Sequence, residues 1–524
     1  MPSKPEAFDY EGVFPGRAGR DRESASKIEA WPKAGKLKHF DDPDYVPAPA
    51  LNPAPALASA TEAPVAQPRA GASMFTSANN WIRRRGHTLS FVALFVFSIV
   101  LYLRPYELFP ALSSFTSMAF YTGVITLTIY FATQLALEGN LTARPREINL
   151  VLLIGVAALL SMPLAEDPAG AWKTFSDMLL KTLIIFIVLV NVVRTEWRLK
   201  LLLYLVLGVS IYLAVNALDD YRAGVFSVGA AETHDLRIAG RIKGLFENSN
   251  DLAMHLVTMI PLAVCMGIMG RNPLKKLIYF GAAALMVAGV TVTFSRGGFI
   301  GMVAMAFVLV RRLGKKNRGM TMAATVFAVI IFIGMAPGAF TSRVSTIFNS
   351  AADLTGSSSQ RTEVLKHSFW VSLRYPLFGV GIGNYRHKSP RNLETHNAYT
   401  QVSAELGITA FVVYLMFLVH ALRRVRLIER ETDTSRDQRT LHYLAIGVQA
   451  SLIGFMFSSF FGAVAYQWYV YYLVGYAVCL HRIYLLKFPP ADGFARERWE
   501  HPFSKKTQRL IGGDSPTATQ PAQV

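Results

Sequence analysis

The chain has 524 residues, 52% of them hydrophobic and only 17% charged, with a mean hydropathy of +0.31. That profile excludes a string of soluble domains and points to a polytopic membrane protein. The formal net charge of +18 does not require a nucleic-acid partner, because membrane proteins concentrate Lys and Arg in cytoplasmic loops beside anionic lipid headgroups.

Residues 1–85 begin polar and become rich in Pro and Ala ("PAPALNPAPALASATEAPVAQPRA"), too poor in apolar surface to fold alone. No short apolar core of the signal-peptide type lies near the start. The stretch is expected to be a disordered cytoplasmic tail ending at "WIRRRGH". Twelve apolar runs of spanning character follow. They centre on residues 89–103, 120–137, 148–162, 179–193, 201–215, 252–269, 277–294, 297–310, 322–336, 407–422, 444–462 and 468–486. The only two cysteines, Cys265 and Cys479, fall inside these runs, so there is no disulfide framework and no zinc-type spacing.

Threading the runs alternately from a cytoplasmic N-terminus puts the basic clusters on one side. Arg83 to Arg85, Arg144 with Arg146, Arg194 with Arg198 and Lys200, Arg271 with Lys275 and Lys276, "RRLGKKNR" and "RRVRLIER" all fall inside. An all-α protein of about twelve transmembrane helices, N-in and C-in, is therefore expected. The organisation reads as a tail at 1–85, spans one to nine at 86–337, an outer loop at 338–404, spans ten to twelve at 405–486, and a second cytoplasmic tail at 487–524. A loop of that length is commonly functional.

Within it, "SQRTEVLKHSFWVSLRYP" sets Leu365, Phe369 and Leu373 four residues apart, with Trp370 beside them and Pro376 closing the helix. Such a helix would lie on the outer membrane surface or over a cavity, or simply cap the bundle. The loop carries Arg343, Arg361, Lys366, Arg374, Arg386, Lys388 and Arg391 against Asp353, Glu363 and Glu394, an excess that suits an anionic ligand such as phosphate. The competing reading is that long loops translocate regardless of charge.

Arg296 in "TFSRGGF" closes one span and opens the next. Its guanidinium could enter the bundle as an intramembrane cation or snorkel to the interface. Arg241 and Lys243 in "GRIKGLFENSNDLA" precede Asn248, Ser249, Asn250 and Asp251, of which helix capping explains one. Gly379, Gly381 and Gly383 follow a helix, not a strand, which rejects a dinucleotide fold and suggests a tight backbone turn. His396 lies outside and next to a span, where an imidazole can take a proton near neutral pH. A structural hydrogen-bonding role competes with that reading, and His367, His387 and His234 are rivals. No His pair has ligand spacing on one helix face, so no metal is expected.

Together these segments resemble the bacterial O-antigen ligase and polymerase superfamily, over roughly residues 88–485. The likeness rests on the late outer loop, the "SRGG" junction, "GLFENSNDLA", and "YPLFGVGIGNY" leading to "THNAYTQVSAELGITAF". His396, Asn397 and Gly407 are similar to the family's His-Asn, nine residues, Gly pattern. Ala410 stands where a further Gly is often found, which bears on helix packing more than on chemistry. An Arg-x-x-x-Leu element typical of these ligases fits both Arg241 to Leu245 and Arg361 to Leu365.

The resemblance implies a glycosyltransferase of the bacterial inner membrane, with its active site at the periplasmic face. A polyprenyl (undecaprenyl) diphosphate-linked glycan would be the donor, and lipid A core, glycan or protein the acceptor, with no cofactor and no metal. Arg241 and Arg296, aided by Arg361, would hold the diphosphate, and His396 would act as general base or orient the acceptor hydroxyl. Lys243, Asn250 and Asn397 are substrate-binding candidates. Glu405 would orient His396, unless it serves only as a helix N-terminal acid. Ligase, polymerase and protein O-oligosaccharyltransferase readings stay open, and a twelve-span secondary transporter is the alternative from another class.

Overall fold

The computed structural model describes residues 70–115, 117–228, 236–241, 246, 248–314, 318–319, 357–390, 392–433 and 438–488. The expected ninth span at 322–336, residues 338–356 of the outer loop, the tail up to residue 69 and Lys243 lie outside the described residues.

Polar residues placed just before apolar runs set many of the helix starts. Asp167, Thr195, Asn248, Asn272, Ser295 and Asn397 each accept a main-chain N–H of the first turn that follows. In chain order the helices are α1 (Ala70–Leu103), α2 (Pro105–Leu108), α3 (Met118–Glu138), α4 (Arg146–Ser161) and α5 (Pro168–Thr174). A π-helical turn at Phe175–Leu180 joins α5 to α6 (Lys181–Val192). Then come α7 (Glu196–Arg222), α8 (Ser249–Met269), α9 (Pro273–Val292), α10 (Arg296–Leu313), α11 (Ser357–Arg374) and α12 (Tyr385–Lys388). The last four are α13 (Ala398–Leu406), α14 (Ile408–Glu431), α15 (Arg439–Ser458) and α16 (Trp468–Lys487). Among the described residues the one strand pairing is a two-residue antiparallel match of Ser227–Val228 with Leu236–Arg237. Helix α1 begins at Ala70, inside the stretch expected to be tail.

Among the described residues, ten helices are long and apolar enough to cross a membrane. Each coincides with one of the expected runs. Helix α10 falls outside that group because Arg296, Arg311 and Arg312 share its 18 residues. Helices α8 and α16 form the centre, each with 83% of its apolar window buried, whereas α3 is peripheral at 22%. Peripheral helices turn residues such as Phe120, Leu277 and Phe307 outward, as a lipid-facing surface requires. Some polar side chains between helices pair with one another: Ser98 with the Tyr472 hydroxyl at 2.9 Å, and Ser210 with His255 Nε2 at 3.0 Å. Gly301 lets α10 and α15 touch, since a Cβ there would sit 2.8 Å from the Gly454 carbonyl.

The two ends of the bundle are chemically different. One end is tied by ion pairs: Arg194 with Glu138, Arg424 with Glu147, Arg312 with Glu429 at 3.1 Å, and Lys487 with Glu196 at 2.7 Å. This is where the basic clusters gather. The opposite end holds the α7–α8 connection, the start of α10, the segment 375–407 and the α15–α16 turn.

The Glu147 side chain is fully buried and takes a two-pronged hydrogen bond from Arg424, whose Nη1 also meets His481 Nδ1 at 2.7 Å. Removing one partner of such a pair strands the other charge. Glu147→Ala is expected to cost about 3–5 kcal/mol, read as a lower midpoint of thermal unfolding in detergent. The double variant Glu147→Leu with Arg424→Met should recover most of that loss.

Candidate functional site

The segment around His396 is built on α13, a helix of nine residues that is too short to persist alone. Its start is fixed by Asn397, whose Oδ1 accepts from the N–H of Tyr399 at 2.9 Å and of Thr400 at 3.1 Å. Its far end is gripped by the glycine loop. Val380 N–H donates to the Ala404 carbonyl at 2.9 Å and Gly381 N–H to the Glu405 carbonyl at 3.0 Å. Gly383 N–H donates to Glu405 Oε2 at 2.9 Å. Gly379 has φ +67°, and a Cβ there would collide with the main chain of Glu405. Only glycine allows that approach.

Helix α11 lies along α13, burying Val364, Ser368, Val371 and Ser372, with Ser372 hydroxyl-bonded to Ser403 at 2.8 Å. Half-buried Arg361 lies at the border of that face, three residues before buried Val364 and four before exposed Leu365, while Phe369, Trp370 and Leu373 are exposed as well.

His396 is half-buried and has φ +51°, a left-handed conformation that costs a non-glycine residue on the order of 1–2 kcal/mol. Phe294 repeats the arrangement at φ +52°, one residue before Ser295 caps α10. Arg296 is therefore aimed by a capped, strained start much as Asn397 is. Ser295 also donates to Asn250 Oδ1 at 2.8 Å, which ties the starts of α8 and α10 together. Of the polar cluster opening α8, Asn248 is the cap and Asn250 the strut.

These starts converge on the turn that ends α15. Phe461 lies where a Cβ on Gly297 would go, at 2.5 Å. The Tyr399 ring sits 4.5 Å from the Phe460 ring, its hydroxyl donates to the Met456 carbonyl at 2.7 Å, and Ala465 N–H donates to Gln401 at 3.1 Å. The turn thus brings the elements carrying Asn250, Arg296 and His396 to one place.

Arg241 lies at the same end and is half exposed. Its Nη2 donates to Asp220 Oδ1 at 2.5 Å, its Nε bridges both carboxylate oxygens, and its Nη1 reaches Asn216 at 3.3 Å. The hydrogen bond to Asp220 raises its pKa. Sequence reading passed over Asp220, Ser295 and Tyr466. An acidic pair at the end of an apolar run and a Ser directly before Arg296 were the available signals for the first two. Among the described residues no cluster of His, Cys, Asp and Glu is grouped to hold a metal.

The architecture defines a multi-pass helical membrane protein with a structured cap at one end. Residues 281–415 match the family model described as O-antigen ligase, and this match supports the O-antigen ligase superfamily, whose members are membrane glycosyltransferases, for this chain. The matched stretch contains Arg296, Arg361, His396, Asn397 and Glu405, and leaves Arg241, Lys243 and Asn250 outside it. No curated protein gives a significant match to the chain.

Glu405 is fully buried, and burial is the main reason its carboxyl rises from 4.5 to about 7. The Gly383 N–H opposes the rise and the charge of Glu394 adds to it. The Tyr466 hydroxyl lies beside the carboxyl, outside hydrogen-bonding geometry. A folded-state value above the unfolded one favours the protonated form. The resulting stabilisation is full below pH 4.5 and is lost as pH rises through about 7. The melting temperature of the wild type, measured against Glu405→Gln, is expected to fall across that window. A constant difference from pH 4.5 to 8 would contradict the assignment.

Proposed function

We propose that the protein moves a glycan from a polyprenyl diphosphate carrier to an acceptor hydroxyl at the periplasmic face of the inner membrane, in the manner of an O-antigen ligase. One observation carries this reading: the strained, capped starts of α10 and α13, bearing Arg296 and His396, meet at the α15–α16 turn and both fall in the family-matched stretch. The orientation follows from charge, since the opposite end gathers the lysines and arginines and belongs in the cytoplasm.

In the reaction the acceptor oxygen attacks the anomeric carbon of the donor sugar. As that C–O bond forms, the bond from the anomeric carbon to the diphosphate oxygen breaks. The acceptor proton passes to His396, and the polyprenyl diphosphate leaves with the bonding pair. A guanidinium at Arg296, aided by Arg241 and Arg361 from the same end of the bundle, would offset the charge that grows on the leaving group. Asn397 holds the main chain behind His396, and Glu405 fixes the rear of the same helix.

A polymerase or a protein O-oligosaccharyltransferase would use the same step on a different acceptor. Deleting the gene and resolving surface glycans on gels separates them. Long chains retained on the carrier mark a ligase, single repeat units a polymerase, and normal glycan with an unglycosylated protein the third.

His396→Ala is expected to lower transfer by about 10²–10⁴-fold with unchanged abundance in the membrane. Full activity would remove His396 from the chemistry. Arg296→Lys keeps the charge and loses the fork, and is expected to slow transfer about 10–100-fold. Wild-type rates would leave Arg296 as an interface anchor.

A further inference from the structure

The glycine loop has a second face. On the side away from Glu405, it forms one wall of an open cleft of about 390 Å³, within the size range of small-ligand sites. The other wall comes from far away in sequence, at the turn into α5. Asp167, Thr174, Asn384, Arg386, His387 and Asn392 line the cleft, with no Val, Leu, Ile, Met, Phe, Tyr or Trp among the described lining residues.

The cleft is built, not incidental. Asn384 is 2% exposed and locks the two walls: its Oδ1 accepts from Asp167 N–H at 2.8 Å and its Nδ2 donates to the Asp167 carbonyl at 3.1 Å. Gly383 keeps the floor open, since a Cβ there would lie 2.6 Å from the Thr174 hydroxyl. Below it, Ile382 N–H donates to Ser161 at 3.2 Å.

The charges at the rim are matched. Arg386 donates to Glu394 at 2.5 Å, and Lys388 meets Glu166 at 2.8 Å across the two walls. Asp167 adds a further carboxylate, one oxygen of which accepts from Gly170 N–H at 2.9 Å. With Arg386 and Lys388 set against Glu394, Glu166 and Asp167, the carboxylates outnumber the cations, and this balance disfavours an anion. By contrast, the side chains of His387 and Asn392 are exposed and make no hydrogen bond to other described residues. Hydroxyl, carboxamide, imidazole and carboxylate groups around a polar cleft match the alternating donors and acceptors of a sugar ring.

We infer that this cleft binds uncharged, hydroxylated sugar residues of a glycan substrate at a distance from the reacting carbon. The inference rests on the glycosyl-transfer reading and deepens it. The geometry places the cleft one wall away from the proposed chemistry. The Arg386–Glu394 pair joins its rim to the strand entering His396 two residues later, and Gly383 contacts both cleft and Glu405. A glycan threaded through the cleft would thus have its reactive end presented near His396. The sugars held there could belong to the donor or to the acceptor.

The test uses the full chain in nanodiscs and, as probe, the strain's own surface glycan released by mild acid, so that no diphosphate is present. Saturation-transfer NMR is expected to show saturable binding. The double variant His387→Ala with Asn392→Gly, glycine being able to keep the left-handed backbone at 392 (φ +55°), should weaken it about tenfold, as the loss of two ordinary hydrogen bonds predicts, without a change in melting temperature. His387→Gln, which keeps a donor and an acceptor, should bind nearly as the wild type does. No saturable binding to the wild type, or equal binding by the double variant, overturns the inference.

Transfer kinetics separate this outcome from failure of the catalytic reading. His396→Ala should still bind the released glycan while transferring nothing. If it transfers normally and the double variant loses binding, the cleft stands and the catalytic assignment falls. If His396→Ala is inactive and the double variant binds normally, the reverse holds. In the double variant, a raised KM for the lipid-linked donor or for the acceptor, at unchanged kcat, names the source of the bound sugars.

Discussion

The site depends on how a nine-residue helix is held at its rear. Alone, α13 would be mostly unfolded, because so few residues cannot offset the cost of helix nucleation. Its last carbonyls and the Glu405 carboxylate are instead taken up by main-chain N–H groups of residues 380–383, and Ile408 N–H donates back to the Pro376 carbonyl at 2.7 Å. Gly407, at φ +91°, breaks the chain between α13 and α14 so that both helices can begin where they do. Where His396 stands is therefore decided ten residues downstream, at contacts that never touch it. Such dependence on exact main-chain approach explains why the loop carries several glycines.

The front of the same helix is positioned by a different device. His396 and Phe294 are left-handed residues directly preceding a capping side chain, and both helices that follow reach the α15–α16 turn. Strained residues of this kind persist only where the surroundings over-determine them, and they cluster at functional sites. Here the surroundings are the Ser295–Asn250 bond, the contact of α10 with Phe461 and the tilted ring contact of Tyr399 with Phe460. In the proposed reaction, side chains set on two such rigid starts would keep their separation, as a displacement at carbon needs.

Much of the scaffold was legible in the sequence, and the reason is physical. Spans are long local patterns, so the apolar runs located the ten described spanning helices, and the cluster at Asn248 could be read as a start because capping is local too, whereas Asn397, expected only as a substrate-binding residue, caps α13. The three glycines read as a turn and indeed take positive φ. What the turn grips could not be read, since Glu405 lies over twenty residues away. The pairing of Arg241 with Asp220, the role of Asn250 as a strut to Ser295, and the wall formed by Asp167 and Thr174 are likewise contacts between distant segments. Composition suggested that four polar residues at the start of α8 were too many for capping, but only packing says what Asn250 does.

The two ends of the bundle divide the physical work. At the basic end, buried pairs such as Arg424 with Glu147 and Arg312 with Glu429 fix which helices are neighbours, because a misplaced helix would strand a charge in an apolar interior. At the site end, position is set chiefly by main-chain hydrogen bonds, caps and glycine contacts, with the ion pairs at the rim largely exposed. That choice leaves the geometry of α13 insensitive to salt, since neutral hydrogen bonds are not screened. Under the proposed function, a diphosphate arriving at such an end would change the local field strongly. A scaffold held by dipoles and sterics can accept and release that charge without reorganising, whereas one held by ion pairs would exchange partners with its substrate.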